Sequence, residues 1–430
     1  MTSFGDFAIA GLVAASGLSN PAPSLANPQP VALVYRTTQQ TSVTDNTACT
    51  FTAEKYDNNS AFAPSDTKIT IPSAGLYRAT GSDMTSAGST GGIINGSLAA
   101  LDAPSARLAG AGSAFWSSQQ TGICDMASGG ISYFAGGGTV NHNTSGSYQT
   151  FSVEKLDSNT WYCIAKKSAN QTSVNTNSII TWDVNTKDIC GSGSWHSTSS
   201  NNTRLVVPAD TGISRVRLSW NLVQTAANSI YKVSKNGSTG VPGMPCQHRW
   251  GGGTAYMGAA GPPVNVVAGD YFELVLTGSG ASRTVNTNNS TWFQIEQVPA
   301  GVKACLVTAS SGSIVSTGGN ILFPTEEYDD DNMHSTVSNT DRLVVPSGCS
   351  YAKIYWYVRT STNTKIQVQA VGSAAGTVGC GQDTEGSVSG VGASTGVSAW
   401  MPCTPGDYFV LYADTGNATI VEAWFALECI

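Results

Sequence analysis

Charge is what this sequence has least of. Lys, Arg, Asp and Glu make up 11% of its 430 residues, well under half the roughly 25% of an ordinary soluble domain. Its 21 basic and 28 acidic residues leave a net charge of −7. A chain so poor in cations lacks the basic face that would hold nucleic acid or an anionic membrane, and neither is expected as a partner. Long apolar runs are missing as well. The longest, Phe7 to Ala15, falls far short of the roughly 20 residues that span a bilayer, so no membrane insertion is expected. Asp6 stands before that run and the first basic residue is Arg36, which argues against a secretory leader. The ten cysteines follow no CxxC spacing and read as scattered buried thiols made in a reducing compartment, with Cys380 and Cys403 as an alternative, oxidised pair. Helical periodicity never lasts beyond a turn or two.

What the chain has instead is Gly (47 residues), Ser, Thr and Asn for a neutral polar surface, and 10 Trp, 15 Tyr and 12 Phe to fill cores. That apolar area excludes disorder. Short runs of Val, Ile, Tyr, Phe and Trp alternate with polar residues and are cut by Gly, Asn, Asp, Ser and Pro, the signature of half-buried strands.

One unit is written three times. An opening strand reads VALVYRTTQQTSV from Val31, YCIAKKSANQTSV from Tyr162 and, more loosely, KACLVTASSGSIV from Lys303. A basic residue then leads an apolar strand into proline: KITIP from Lys68, RLVVP from Arg204 and RLVVP from Arg342. Proline has no N–H for the ladder and marks where each strand leaves its sheet. HSTSSNNTRLVVP from His196 parallels HSTVSNTDRLVVP from His334, and AGDYFELVL from Ala268 parallels PGDYFVLYA from Pro405. Each copy closes with aromatic, any residue, aliphatic, Glu: FSVEKL from Phe151, FQIEQV from Phe293 and FALECI from Phe425.

These repeats predict an all-β protein of three tandem jelly-roll β-sandwich domains, residues 31–158, 159–300 and 301–430, behind an extended N-terminal arm, residues 1–30. The arm has an apolar head and a Pro-rich tail, with Pro28 and Pro30 favouring stretched chain. Phe4, Phe7, Ile9, Leu12 and Val13 are its candidate anchor residues.

The YRTT first strand from Tyr35, the EKYDNN and EEYDDD segments from Glu54 and Glu326, the HST turn, RLVVP, GDYF and the closing aromatic strand together resemble the jelly roll of the complement and tumour necrosis factor superfamily, in the version found on bacteriophage virion proteins. The third copy carries the resemblance best, and the first has no recognisable GDYF. The resemblance implies tight threefold assembly through aromatic-rich sheet faces and a place on the virion surface after assembly in the host cytoplasm. It implies head decoration or cement, with a tail or head fibre that recognises host surface glycan or protein as the alternative. The partners expected on that basis are the major capsid protein or another virion protein, and further copies in a homotrimer. Three tandem copies leave two arrangements open: one chain forming a pseudo-threefold unit, or each copy trimerising separately.

No enzyme, cofactor or metal is expected. Glu326, Glu327, Tyr328, Asp329 and Asp330, with Asp331, form the densest charge in the chain. They lack EF-hand spacing and read as a solvated loop available to a ligand or partner. Glu154, Glu296 and Glu428 recur by repetition, which marks an architectural position better than a pair of catalytic carboxylates. GASTG from Gly392 has the form of a nucleophile elbow, but no helix follows it. His196 and His334 read as equivalent turn residues. His248, Arg249 and Trp250 place a cation beside an aromatic in what reads as a loop at a sandwich end, a second ligand or partner candidate.

Overall fold

The computed structural model describes residues 24–430 apart from segments 38–39, 44–46, 87–89, 96–105, 110–113, 128, 137–139, 143–149, 192, 210, 226–228, 250–253, 280–281, 288, 363–364, 373–380 and 384–391. Among the described residues every regular element is a β-strand, and the strands form three successive pairs of sheets, one larger and one four-stranded in each. This is the jelly-roll-like β-sandwich class read from the repeats.

The second unit shows how the pattern becomes a sandwich. Its opening strand Tyr162–Lys166 pairs antiparallel with the closing strand Trp292–Gln297, which pairs in turn with a long central strand, Arg215–Thr225. Between them in sequence, Arg204–Val206, Ser229–Lys235, Cys246–Arg249 and Tyr271–Ser279 form the opposing four-stranded sheet. Successive strands therefore alternate between sheets. The first unit repeats this plan with opening, central and closing strands Gln29–Tyr35, Gly75–Ser86 and Thr150–Leu156, and the third with Lys303–Ala309, Tyr351–Thr360 and Ala418–Cys429.

Side-chain alternation sets which face points where. Val216, Leu218, Trp220 and Leu222 enter the core of their own sandwich, as do Ile354, Trp356 and Val358 in the third unit. The closing strands send Phe151 and Val153, Phe293 and Ile295, and Phe425 and Leu427 the same way. The opposite faces of these strands are also buried, yet carry Arg217, Ser219 and Asn221 on one central strand and Lys353, Tyr355 and Tyr357 on another. A strand buried on both faces has a second layer against it, and here that layer is the other two units.

Local devices recur with the sequence. The ladder between the opening strand and its outer neighbour is irregular at one repeated point, Leu33/Val34, Ile164/Ala165 and Leu306/Val307. The aspartate at the end of that neighbour binds the chain beyond it: Asp57 accepts from the amides of Ala61 (2.8 Å) and Phe62 (3.1 Å), Asp188 from Trp195 (3.1 Å), and Asp329 from Met333 and His334 (both 2.9 Å). In the GDYF turns Gly269 and Gly406 sit at φ 86° and 91°, which glycine takes without strain. Asp270 and Asp407 accept there from the amides of Val267 (3.0 Å) and Thr404 (2.8 Å).

Three expectations are corrected. Gln29 and Pro30 belong to the first strand, paired with Lys155 and Glu154, and Pro30 is accommodated because the ladder is irregular between it and Ala32. Glu326 to Asp329 lie on the strand Thr325–Asp329, since pairing with the opening strand Lys303–Ala309 satisfies their backbone. His248 and Arg249 are likewise in a strand, Cys246–Arg249, zipped to Ser229–Lys235 rather than looped over a sandwich end. Trp250, Cys380 and the anchor candidates Phe4, Phe7, Ile9, Leu12 and Val13 lie outside the described residues.

Candidate functional site

Each central strand carries one cation directly across the ladder from the closing-strand glutamate: Arg78 opposite Glu154, Arg217 opposite Glu296 and Lys353 opposite Glu428. All six face away from their own sandwich cores, and all are buried. There they meet. Arg78 binds Glu154 of its own unit (Nε to Oε1, 2.7 Å) and Glu296 of the second. Arg217 binds Glu296 of its own unit and Glu428 of the third. Lys353 closes the circuit on Glu154 of the first unit (Nζ to Oε1, 2.8 Å). The order first to second, second to third, third to first is the head-to-tail contact that closes into a ring.

The remaining lone pairs are also used. Oε2 of Glu154 accepts from the Trp400 indole, Oε2 of Glu296 from Gln294 (3.0 Å), and Oε2 of Glu428 from the Tyr355 hydroxyl (2.9 Å). Three carboxylates against three cations make the ring neutral, and such pairing makes buried charge tolerable. Burial pushes the Glu154 and Glu296 carboxyls upward, but the adjacent cations, Arg78 and Lys353 for the first and Arg78 and Arg217 for the second, overcome it and hold both well below the usual carboxylate range. For Lys353 the balance falls the other way: burial outweighs Glu154 and brings its ammonium down to about 8. The third position thus carries the most labile proton of the ring.

Apolar and polar contacts flank it. Leu76, Ile123 and Leu156 of the first unit pack with Tyr162, Ile164 and Trp292 of the second. Cys246 and Ala260 of the second pack with Leu306, Tyr355, Tyr357 and Trp424 of the third. Between third and first, Tyr56 stacks edge-on against Tyr351 at 5.4 Å and donates to the Trp400 carbonyl (3.1 Å). The aromatic-rich sheet faces face one another inside one chain.

The acidic run is part of the same assembly. Asp330 takes both terminal nitrogens of Arg215 and the amide of Ala304 (2.8 Å), Tyr328 donates to the Pro263 carbonyl (2.5 Å), and Glu326 meets His334 Nδ1 (2.9 Å). Asp331 pairs with Lys303 (2.7 Å). These carboxylates serve the boundary with the second unit and their own turn, whereas Glu327 stays exposed. His196 and His334 occupy equivalent turns, each with Nε2 3.3 Å from a carbonyl, of Asn202 and Thr340. Ser394 of GASTG lies in the strand Gly392–Val397, buried, accepting from the Trp356 indole (3.1 Å). No strand-to-helix elbow is formed.

The chain enters this body close to both linkers. The Ala26 amide donates to Asp157 (2.8 Å) and Asn27 packs on Gly301, so the first described residues touch the start of the second and of the third unit. A half-open cleft of about 320 Å³ lies beside them, lined by Asn27, Gln29, Gly75, Lys155 and Asp157 among others.

Reading the repeats singled out the three glutamates but missed Arg78, Arg217 and Lys353. The signal was present: LYRAT, VRLSW and AKIYW each set one cation inside an otherwise strand-forming run at the equivalent repeat position.

No family model matches the chain, and no curated protein matches it. Among solved structures it is similar to a chain in the atomic structure of Sulfolobus Turreted Icosahedral Virus, at 12% identity over 95% of this chain and 90% of that one, with a TM-score of 0.18. A likeness so slight bears on neither fold nor function.

Proposed function

We propose that this protein is a non-enzymatic virion surface component, a capsid decoration or cement spike whose single chain supplies a threefold body. The observation that supports this is the closed ring: three jelly-roll units bury their aromatic and charged sheet faces against one another. On this reading the chain acts as one rigid unit, and residues 1–30, entering beside both linkers, hold it to the major capsid protein or another virion protein. The mechanism is mass action, in which a ligand that binds only the assembled lattice stabilises it by RT ln(1 + [L]/Kd) per site.

Light scattering of the purified protein, repeated with pelleting after it is mixed with empty phage heads, tests both parts. Single-chain mass and co-sedimentation that is lost on deleting residues 1–23 are the outcomes expected. A mass of three chains would replace the self-contained body by a homotrimer of chains. A protein that stays in the supernatant but labels host cells would move the function to receptor recognition by a fibre.

A further inference from the structure

Three cysteines converge at one end of the third unit. Cys349 lies just ahead of the central strand, Cys429 is the last residue of the closing strand, and Cys403 follows the short strand Met401–Pro402 that pairs with the central strand's start. All three are free and buried in the same core cluster. The backbone fixes the first two against each other: the Ser350 amide donates to the Ile430 carbonyl (2.8 Å), Ile430 donates to Tyr351 (3.1 Å), and Ala352 stands across from Cys429. The Cys349 and Cys429 thiols are hydrogen-bonded to each other.

We propose that Cys349 and Cys429 form a thiol pair that closes to a disulfide when the protein meets a disulfide oxidant such as oxidised glutathione. The two sulfurs have different roles. The hydrogen bond from Cys429, followed by the charge of Lys303, brings the Cys349 thiol down to about 7 against the opposing effects of burial and Asp331, while burial and that same bond push Cys429 up. Cys349 is therefore the thiolate, and the thiolate is the nucleophile. Cys403 is held protonated, its thiol pushed up to about 12 by burial and by Asp407.

The exchange balances. The Cys349 thiolate attacks one sulfur of oxidised glutathione, forming a mixed disulfide and releasing one glutathione thiolate, which takes up a proton. Cys429 then gives up its proton and attacks the Cys349 sulfur, expelling the second glutathione. Two protein thiols are oxidised and one glutathione disulfide is reduced to two thiols. The product ties the last strand, which carries Glu428 of the ring, to the head of the strand that carries Lys353. A chain folded in a reducing compartment would gain this tie only after leaving it.

The test treats full-length reduced protein with oxidised glutathione under native conditions and maps its peptides by mass spectrometry. A peptide cross-linked between Cys349 and Cys429, lost on reduction, is expected, with Cys403 and the other buried thiols still alkylatable after unfolding. Cys429→Ser should trap the glutathione adduct on Cys349, and Cys403→Ser should leave the cross-link intact. A cross-link from Cys349 to Cys403, a stable glutathione adduct in the native sequence, or no reaction before unfolding would each overturn the proposal. The native-sequence map decides the matter even where a variant fails to fold.

Discussion

Arg78 and Glu296 stand 218 residues apart in sequence and in different units, yet their side chains hydrogen-bond in the interior. A buried charge deprived of its partner costs about 3–5 kcal/mol. Arg78→Met is therefore expected to lower unfolding stability by about 3 kcal/mol, leaving three carboxylates to two cations. Adding Glu296→Met restores neutrality and should recover part of the loss. Urea unfolding of the two single variants and the double variant measures the coupling, and strict additivity would refute a shared ring.

Lys353 should behave unlike the two arginines. Its ammonium is brought down to about 8 in the folded chain from an ordinary 10.5, so between those values the unfolded chain binds more protons and this group's contribution to stability rises with pH. Lys353→Met is expected to cost less than Arg217→Met at pH 7 and to abolish that rise. Denaturation at pH 7 and pH 9.5 checks both.

Acid acts with the opposite sign. The folded carboxyls of Glu154 and Glu296 lie below their unfolded values, so their contribution is fully present above the unfolded range, about 4.3, and is lost as pH falls through the folded values. The wild-type chain should lose stability progressively below about pH 5, and Glu154→Gln should flatten that slope. An unchanged slope in a folded variant would show that the ring does not set acid stability.

The acidic segment divides by what each carboxylate holds. Asp329 satisfies the amides of Met333 and His334 at the turn, and Asp329→Ala is expected to cost about 1–3 kcal/mol through unpaired buried donors. Glu327 is exposed, and Glu327→Ala should lie within about 0.5 kcal/mol of wild type. Thermal unfolding of the two variants distinguishes a turn-building segment from a uniformly solvated one.

Gly396 lies flat against Trp356: a Cβ there would stand 2.1 Å from the indole ring. Gly396→Ala forces the tryptophan out of its seat, and overpacking of this kind costs about 1–3 kcal/mol. The loss should appear as a lower melting temperature with altered tryptophan fluorescence.

Much of this architecture could be read in advance because it was written three times. The aromatic-x-aliphatic-Glu closing strand already held both faces, Phe293 and Ile295 inward and Glu296 outward, and period two in a strand makes that division unavoidable. What the repeats could not say was where the outward face goes. Alternation tells that Glu296 leaves its own core, not that Arg78 waits for it, because that contact depends on how three sandwiches dock. The acidic run misled for a related reason: a dense row of carboxylates looks solvated until Arg215, Lys303 and His334 are placed beside it. His248 and Arg249 misled because Gly and His next to a short run resemble a loop, while the strand Ser229–Lys235 that pairs with them lies ten or more residues upstream.

The head-to-tail ring has a consequence for symmetry. In an assembly of identical chains every substitution is applied three times, and all three contacts must change together. Here each contact has its own sequence and has diverged: two positions keep a guanidinium fork, the third has a single ammonium, and Tyr56 meets Tyr351 across one boundary. A body with three distinguishable sides has a defined rotational setting about its own axis, so it can meet a surface in one orientation where a true trimer would offer three equivalent ones.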